Sequence, residues 1–160
     1  MVGNNFFGRE MLDVEKCIEQ ENARIGIGYI GTEHLVFAML KTHCHAALIL
    51  NEFNVTEERF REYFHRHIEY ENTTVGETPR TKSVMEKAVR YAGENTPDER
   101  YRTVQPEHVL MGILDTQGGC ARNYFHDYKI NERQLWEALR HSVEADCRLL
   151  ARASAKKNKD

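Results

Sequence analysis

The chain has 160 residues, 29% of them charged, and a formal net charge of −3. That length suits one domain with a sizeable core. The charge balance gives no electrostatic reason to bind nucleic acid or an acidic membrane surface. Four cysteines, Cys17, Cys44, Cys120 and Cys147, stand singly with no CxxC pair, as in a reduced, cytosolic-type compartment. No charged start followed by an apolar stretch opens the chain, and no apolar run approaches the ~20 residues needed to cross a bilayer, so the expectation is an unsecreted, soluble protein.

Apolar residues at Met11, Val14, Ile18 and Ile25 keep helical spacing over about 9–25, and Gly26 and Gly28 can end that helix. Thr32 is placed to cap a second helix to about 42, a third covers about 45–53, and Thr56 can cap a fourth to about 70. A polar stretch, residues 72–77, then leads to Thr78-Pro79, where Pro at the first helical position loses no hydrogen bond. Helices are expected at about 79–93, 106–115, 120–127 and 132–152, the last opened by Asn131 and Gln134 at capping-box spacing. Strand-like alternation is weak; Tyr29-Ile30 and Tyr101 to Val104 are at most short extended connections. The segment 95–100 is expected to project as a mobile loop, and 151–160 to be a flexible tail or linker.

The same four-helix pattern occurs twice. Gly31-Thr32-Glu33-His34-Leu35 returns as Gln105-Pro106-Glu107-His108-Val109, and residues 46–60 align with 121–135 with Leu50 on Phe125, Phe53 on Tyr128 and Val55 on Ile130. Units of this kind cannot bury their apolar faces alone and must pack on one another. The expected architecture is all-α, two four-helix repeats (about 6–71 and 78–150) in one pseudo-twofold bundle spanning 1–150.

Chemistry-bearing motifs are sparse. There is no Gly-Lys dipeptide, so no phosphate loop, and neither Glu-His pair has the i, i+4 histidine spacing of a zinc protease. His43-Cys44-His45 with His34 nearby could form a metal or small-molecule sensor only if those side chains converged, and neighbours at a helix start point apart. The expectation is no catalytic residue, no metal and no cofactor. Glu33 and Glu107 are different: each opens a helix, where the dipole favours a carboxylate by ~0.3–1 kcal/mol. Exposed there, each could receive a guanidinium in two-pronged fashion. His34 and His108 are expected to face inward and hydrogen-bond backbone across the repeat.

These motifs, together with Thr78-Pro79-Arg80-Thr81-Lys82 and Val84-Met85, resemble the double Clp repeat, the N-terminal domain of Clp/Hsp100 AAA+ unfoldases, most closely the ClpC type. The resemblance covers about residues 6–145. It implies a non-catalytic domain, monomeric as an isolated chain and cytoplasmic, that docks protein substrates and adaptors onto a Clp AAA+ ring and its peptidase. In ClpC-type members of Gram-positive bacteria it further implies phosphoarginine reading. Carried over, one site would join Glu107 with Thr78 and Lys82; the other would join Glu33 with the start of helix one. There the FTER-like opening reads Phe7-Gly8-Arg9-Glu10, with Gly8 in place of a threonine and Arg9 as the available phosphate partner. The alternative is a stand-alone Clp-repeat protein that binds partners without reading the mark. Glu107→Ala is expected to weaken phosphoarginine binding and leave the fold intact.

Overall fold

A computed structural model describes residues 6–95 and 103–157, and within them eight helices and two two-residue strands. They are α1 (Arg9–Ile25), β1 (Tyr29–Ile30), α2 (Thr32–Thr42), α3 (His45–Glu52), α4 (Glu57–Arg66), β2 (Gly76–Glu77), α5 (Pro79–Asn95), α6 (Pro106–Leu114), α7 (Cys120–Asp127) and α8 (Glu132–Lys157). The expected projecting loop, after residue 95, lies outside the described residues, as do 158–160 of the expected tail. The all-α expectation holds, and the starts of α4 and α5 fall where capping chemistry put them. Thr56 Oγ1 accepts from Arg59 N at 3.3 Å, and Thr78 Oγ1 accepts from Thr81 N at 3.2 Å. Gly26 ends α1 at φ 73°, a conformation that costs a residue without a side chain little.

Two helices carry the core. In α2 every residue from Thr32 to Leu40 is buried, and in α6 every residue from Pro106 to Ile113, so both are apolar almost all round and sit centrally. The other helices lay one face on them: Met11, Val14 and Ile18 from α1, Phe60 and Phe64 from α4, Val84, Met85 and Ala88 from α5, Leu135, Leu139 and Val143 from α8. Each fully buried side chain of this size contributes about 1.5–3 kcal/mol relative to exposure. Phe37 stacks on Phe64 at 4.6 Å between ring centroids. Gly112 lets α6 approach α5 closely, since a Cβ there would lie 2.6 Å from the Val84 carbonyl oxygen.

The repeats are crossed. β1, just before α2, pairs in parallel with β2, just before α5, and Thr78 N donates to Ile30 O at 3.0 Å. The same contact recurs between the other two openings, where Phe7 bridges Val104 and Gly8 N donates to Val104 O at 3.0 Å. The start of each Glu-His helix is therefore set beside the start of the other repeat's first helix, while its body packs on the first helix of its own repeat, α2 on α1 and α6 on α5. The polar stretch at residues 72–77 gave no periodic sign of β2, because a two-residue strand has no alternation to display.

Two boundaries moved. α4 stops at Arg66 rather than about 70, because Glu69 N donates to the Tyr29 hydroxyl at 2.8 Å and draws the chain out of the helix toward β2. α8 runs on to Lys157, past the expected end near 152, with Leu149 exposed beyond the core-facing residues.

Candidate functional site

Three helix N-termini meet at one cleft. α2 brings Thr32 and Glu33, α5 brings Thr78, Pro79 and Arg80, and α7 brings Cys120 behind the Gly118-Gly119 turn. The cleft measures about 750 Å³, and its outer wall carries His67, Glu69, Asn72 and Thr74 from the segment after α4. Positive helix ends converging on one space favour anionic groups there.

Glu33 lies at the inner end, 8% exposed rather than at an open helix start. The correction has a simple cause: Gly31 has no side chain, so the carboxylate folds back over it, and a Cβ at Gly31 would come within 1.7 Å of Glu33 Oε1. The Cys120 thiol lies near this carboxylate, and burial together with the Glu33 charge pushes the thiol well above its ordinary range. Cys120 is therefore a neutral thiol rather than a nucleophile. Glu33 Oε1 is 3.3 Å from His34 Nδ1, but that nitrogen accepts the Gly31 N–H at 2.9 Å. The His34 proton accordingly belongs on Nε2, and the ring gives Glu33 nothing.

Thr78 caps α5 with its oxygen and donates to Thr81 Oγ1 at 3.0 Å. Arg80 lies over the Gly118-Gly119 turn with Nε donating to Gln117 O at 3.2 Å. Thr32 does not cap α2. Gly31 holds the N-cap position, and Thr32 Oγ1 instead accepts from Ala121 N of the other repeat at 3.4 Å. Glu69 is engaged by Asn72 Nδ2 at 2.9 Å. A buried carboxylate thus faces a hydroxyl and a guanidinium across a polar cleft, the complement of a ligand with a cationic end and an attached anion.

Glu107 sits elsewhere, 2% exposed, beside the starts of α1 and α3. This overturns both its expected exposure and its expected grouping with Thr78 and Lys82. The parallel β1–β2 contact sets the start of α5 beside the start of α2, so Thr78 lines the cleft of Glu33. Lys82 is exposed one turn further along α5, its N–H bonded to Thr78 O at 2.9 Å, and is not among the cleft's lining residues. Arg9 is exposed at the first residue of α1, on the Glu107 side. Glu107 Oε2 is 3.8 Å from His45 Nδ1, while Oε1 is buried without a hydrogen-bond partner. Burial pushes this carboxyl up to about 7, with Glu10 and Asp146 adding to the shift and its own backbone amide and His45 opposing it.

His34 and His108 do face inward, but each bonds the N-cap amide of its own helix rather than the other repeat. His108 Nδ1 accepts from Gln105 N at 3.0 Å, and burial lowers its pKa to about 4. A ring three residues into a helix reaches back to that amide as a capping-box Glu or Gln does. The histidines flanking Cys44 do not converge with His34: His34 packs edge-on against Tyr29 and Phe64, whereas His45 faces Glu107 and Ser142. All four cysteines are free. Among the described residues no helix is long and apolar enough to cross a membrane.

Sequence reasoning missed Arg80, Cys120 and Glu10 as site residues. Only the alignment of the openings of α1 and α5, which sets Gly8 on Thr78 and Glu10 on Arg80, could have marked two of them.

This crossed double repeat, with a Glu-His helix at the heart of each half, is the architecture of a Clp N-domain. The chain belongs to the Clp repeat (R) N-terminal domain family, whose sequence model matches residues 20–99. It is 31% identical over 117 residues to the ATP-dependent Clp protease ATP-binding subunit ClpC of Staphylococcus aureus (strain USA300), and 30% identical to its counterpart in Staphylococcus epidermidis. The alignment takes in 71% of this chain but 14% of those proteins, so the chain spans a small part of their length. Among solved structures it resembles the N-terminal domain of the chaperone ClpD from Arabidopsis thaliana, with a TM-score of 0.68, 19% identity and coverage of 87% of this chain and 98% of that one. A chain from work on a malarial protein secretion system matches at a TM-score of 0.64, with 14% identity and coverage of 87% and 95%. Domains of this family are binding modules rather than catalysts.

Proposed function

We propose that this chain is a docking domain of a cytoplasmic Clp unfoldase system, receiving protein substrates and adaptors for an AAA+ ring and its peptidase, and that it reads phosphoarginine-bearing segments at the Glu33 cleft. The observation that supports the reading most is the buried Glu33 carboxylate opposed by the Thr78 hydroxyl and the Arg80 guanidinium. Phosphoarginine carries a planar cationic group with a phosphate attached. Glu33 would accept hydrogen bonds from the guanidinium, while Thr78, Arg80 and the start of α5 would meet the phosphate. Lys82, one turn along α5, would add positive field at the mouth rather than a direct contact. Nothing in this role needs a cofactor or a catalytic group.

Calorimetric titration with free phosphoarginine, with arginine and phosphoserine as controls, tests the reading. Binding of phosphoarginine alone, lost in Glu33→Gln, is the expected result. If phosphoarginine fails to bind, the mark-reading role is withdrawn, and pull-down of protein partners becomes the test of the docking role.

A further inference from the structure

The two pseudo-equivalent half-sites differ in charge. Around Glu33 stand Thr78 at the N-cap of α5 and Arg80 two residues into it. Around Glu107 the corresponding residues are Gly8 at the N-cap of α1, with no side-chain cap, and Glu10. The Glu10 carboxylate is already engaged: its Oε2 accepts from His45 N, the first amide of α3, at 2.8 Å. An internal anion thus occupies the helix start that corresponds to the Cys120 end of α7 in the Glu33 cleft. The place of the missing hydroxyl is also filled, since a Cβ at Gly8 would lie 2.5 Å from Gln105 Nε2. Asp146 from α8 adds a second carboxylate beside Glu107, against which stands His45, with Ser142 Oγ 3.2 Å from its Nδ1.

A phosphate, carrying about −1.5 to −2 charge, entering there would meet Glu10, Glu107 and Asp146 against Arg9, exposed beside Glu10 at the start of α1, and find the α3 amide taken. In the Glu33 cleft, which Glu33 and Glu69 also line, it would meet Arg80, whose Nε is committed to Gln117 O while Nη2 lies over the Gly118 end of the turn.

Resting on the phosphoarginine reading above, we propose that this chain binds one phosphorylated guanidinium rather than two: Glu10 closes the Glu107 half-site to phosphate from within, and Arg80 is the residue that makes the Glu33 cleft select the phosphorylated over the unmodified side chain.

The test is the stoichiometry and selectivity of phosphoarginine binding to the whole chain. The expected result is one equivalent per chain, unchanged in number and affinity in Glu107→Gln. Arg80→Gln should cut phosphoarginine affinity roughly tenfold or more, the size of a lost charge-assisted hydrogen bond, while leaving arginine affinity as it was. A role of Arg80 in packing alone would lower both affinities together, and Arg80→Lys should recover part of the selectivity. Thermal melts of each variant separate loss of fold from loss of binding. Two equivalents in the unaltered chain, or an equivalent lost in Glu107→Gln, would overturn this inference and leave the mark-reading function standing. Absence of binding in the unaltered chain would overturn both.

Discussion

Glu107 and His108, adjacent in the first turn of α6, are both buried and are pushed in opposite directions. The Glu107 carboxyl stands at about 7 in the folded chain against an ordinary 4.5. Between those values the folded state holds more protons than the unfolded one, so this group's contribution falls as pH rises from 4.5 to 7. His108 stands at about 4 against an ordinary 6.5, so the unfolded state holds more protons in that window and stability rises with pH. From about 4.5 to 6.5 the two slopes oppose each other, and from there to about 7 Glu107 acts alone. Glu107→Gln removes the opposing slope; its melting temperature should climb with pH from 4.5 to 6.5 more steeply than the parent's. At pH 8 the variant should be more stable by roughly 1–2 kcal/mol, since a buried, part-unpartnered carboxylate is relieved. Urea unfolding across pH measures both, and a Glu107→Gln curve parallel to the parent's would show that the carboxyl is ordinary. The expectation that Glu107→Ala disturbs only binding gives way here to a stability effect. Gly31 supplies a second residue-scale prediction. Its φ of −100° suits any residue, so Gly31→Ala acts through the 1.7 Å overlap with Glu33 Oε1. Phosphoarginine binding should fall at least tenfold with little change in melting temperature, as read by titration and melt side by side.

At the scale of elements, the first turns of α2, α5 and α7 make the cleft, and the packing of α5 on α6 holds one of them in place. Gly112 sits at that contact, with the Val84 carbonyl 2.6 Å from where a Cβ would be. Gly112→Ala has a helical backbone and gains propensity, yet it forces the helices apart against backbone that cannot swing aside. A net loss of about 1–3 kcal/mol is expected in chemical denaturation, the range for overpacked cores. An unchanged or raised stability would mean that α5 slides freely on α6. The corresponding residue of the first repeat, Ala38, is buried with its side chain in place, so the two repeats do not share one interhelical spacing. Most helix boundaries were legible because caps and periodicity are local: Gly26, Thr56, Thr78-Pro79 and Asn131 act within one turn of themselves. Thr32 misled because its hydroxyl has a partner 89 residues away in the chain, an amide of α7 that competes with its own helix. The α4 end misled for the same reason, the Tyr29 hydroxyl taking the Glu69 amide.

Over the whole molecule, the cleft belongs to neither repeat. Glu33 comes from the first, while Thr78, Arg80 and Cys120 come from the second, and α2 and α6 bury nearly all their residues only when both repeats are present. Fragments 6–71 and 78–150 expressed apart should therefore lack cooperative thermal unfolding and bind no phosphoarginine, with mixing the two restoring both in part. A fragment that melts cooperatively alone would show that one repeat is a self-sufficient domain. The internal repeat, the helical periodicity and the two buried-helix cores were written in the chain, because they depend on residue spacing and apolar content, which are local or self-similar properties. The pairing of Glu33 with Thr78 rather than of Glu107 with Thr78, and the placing of Arg80 in one half-site against Glu10 in the other, were decided by the crossed β contacts. Those contacts join segments far apart in the chain through backbone hydrogen bonds, whose partners leave no mark in the order of side chains.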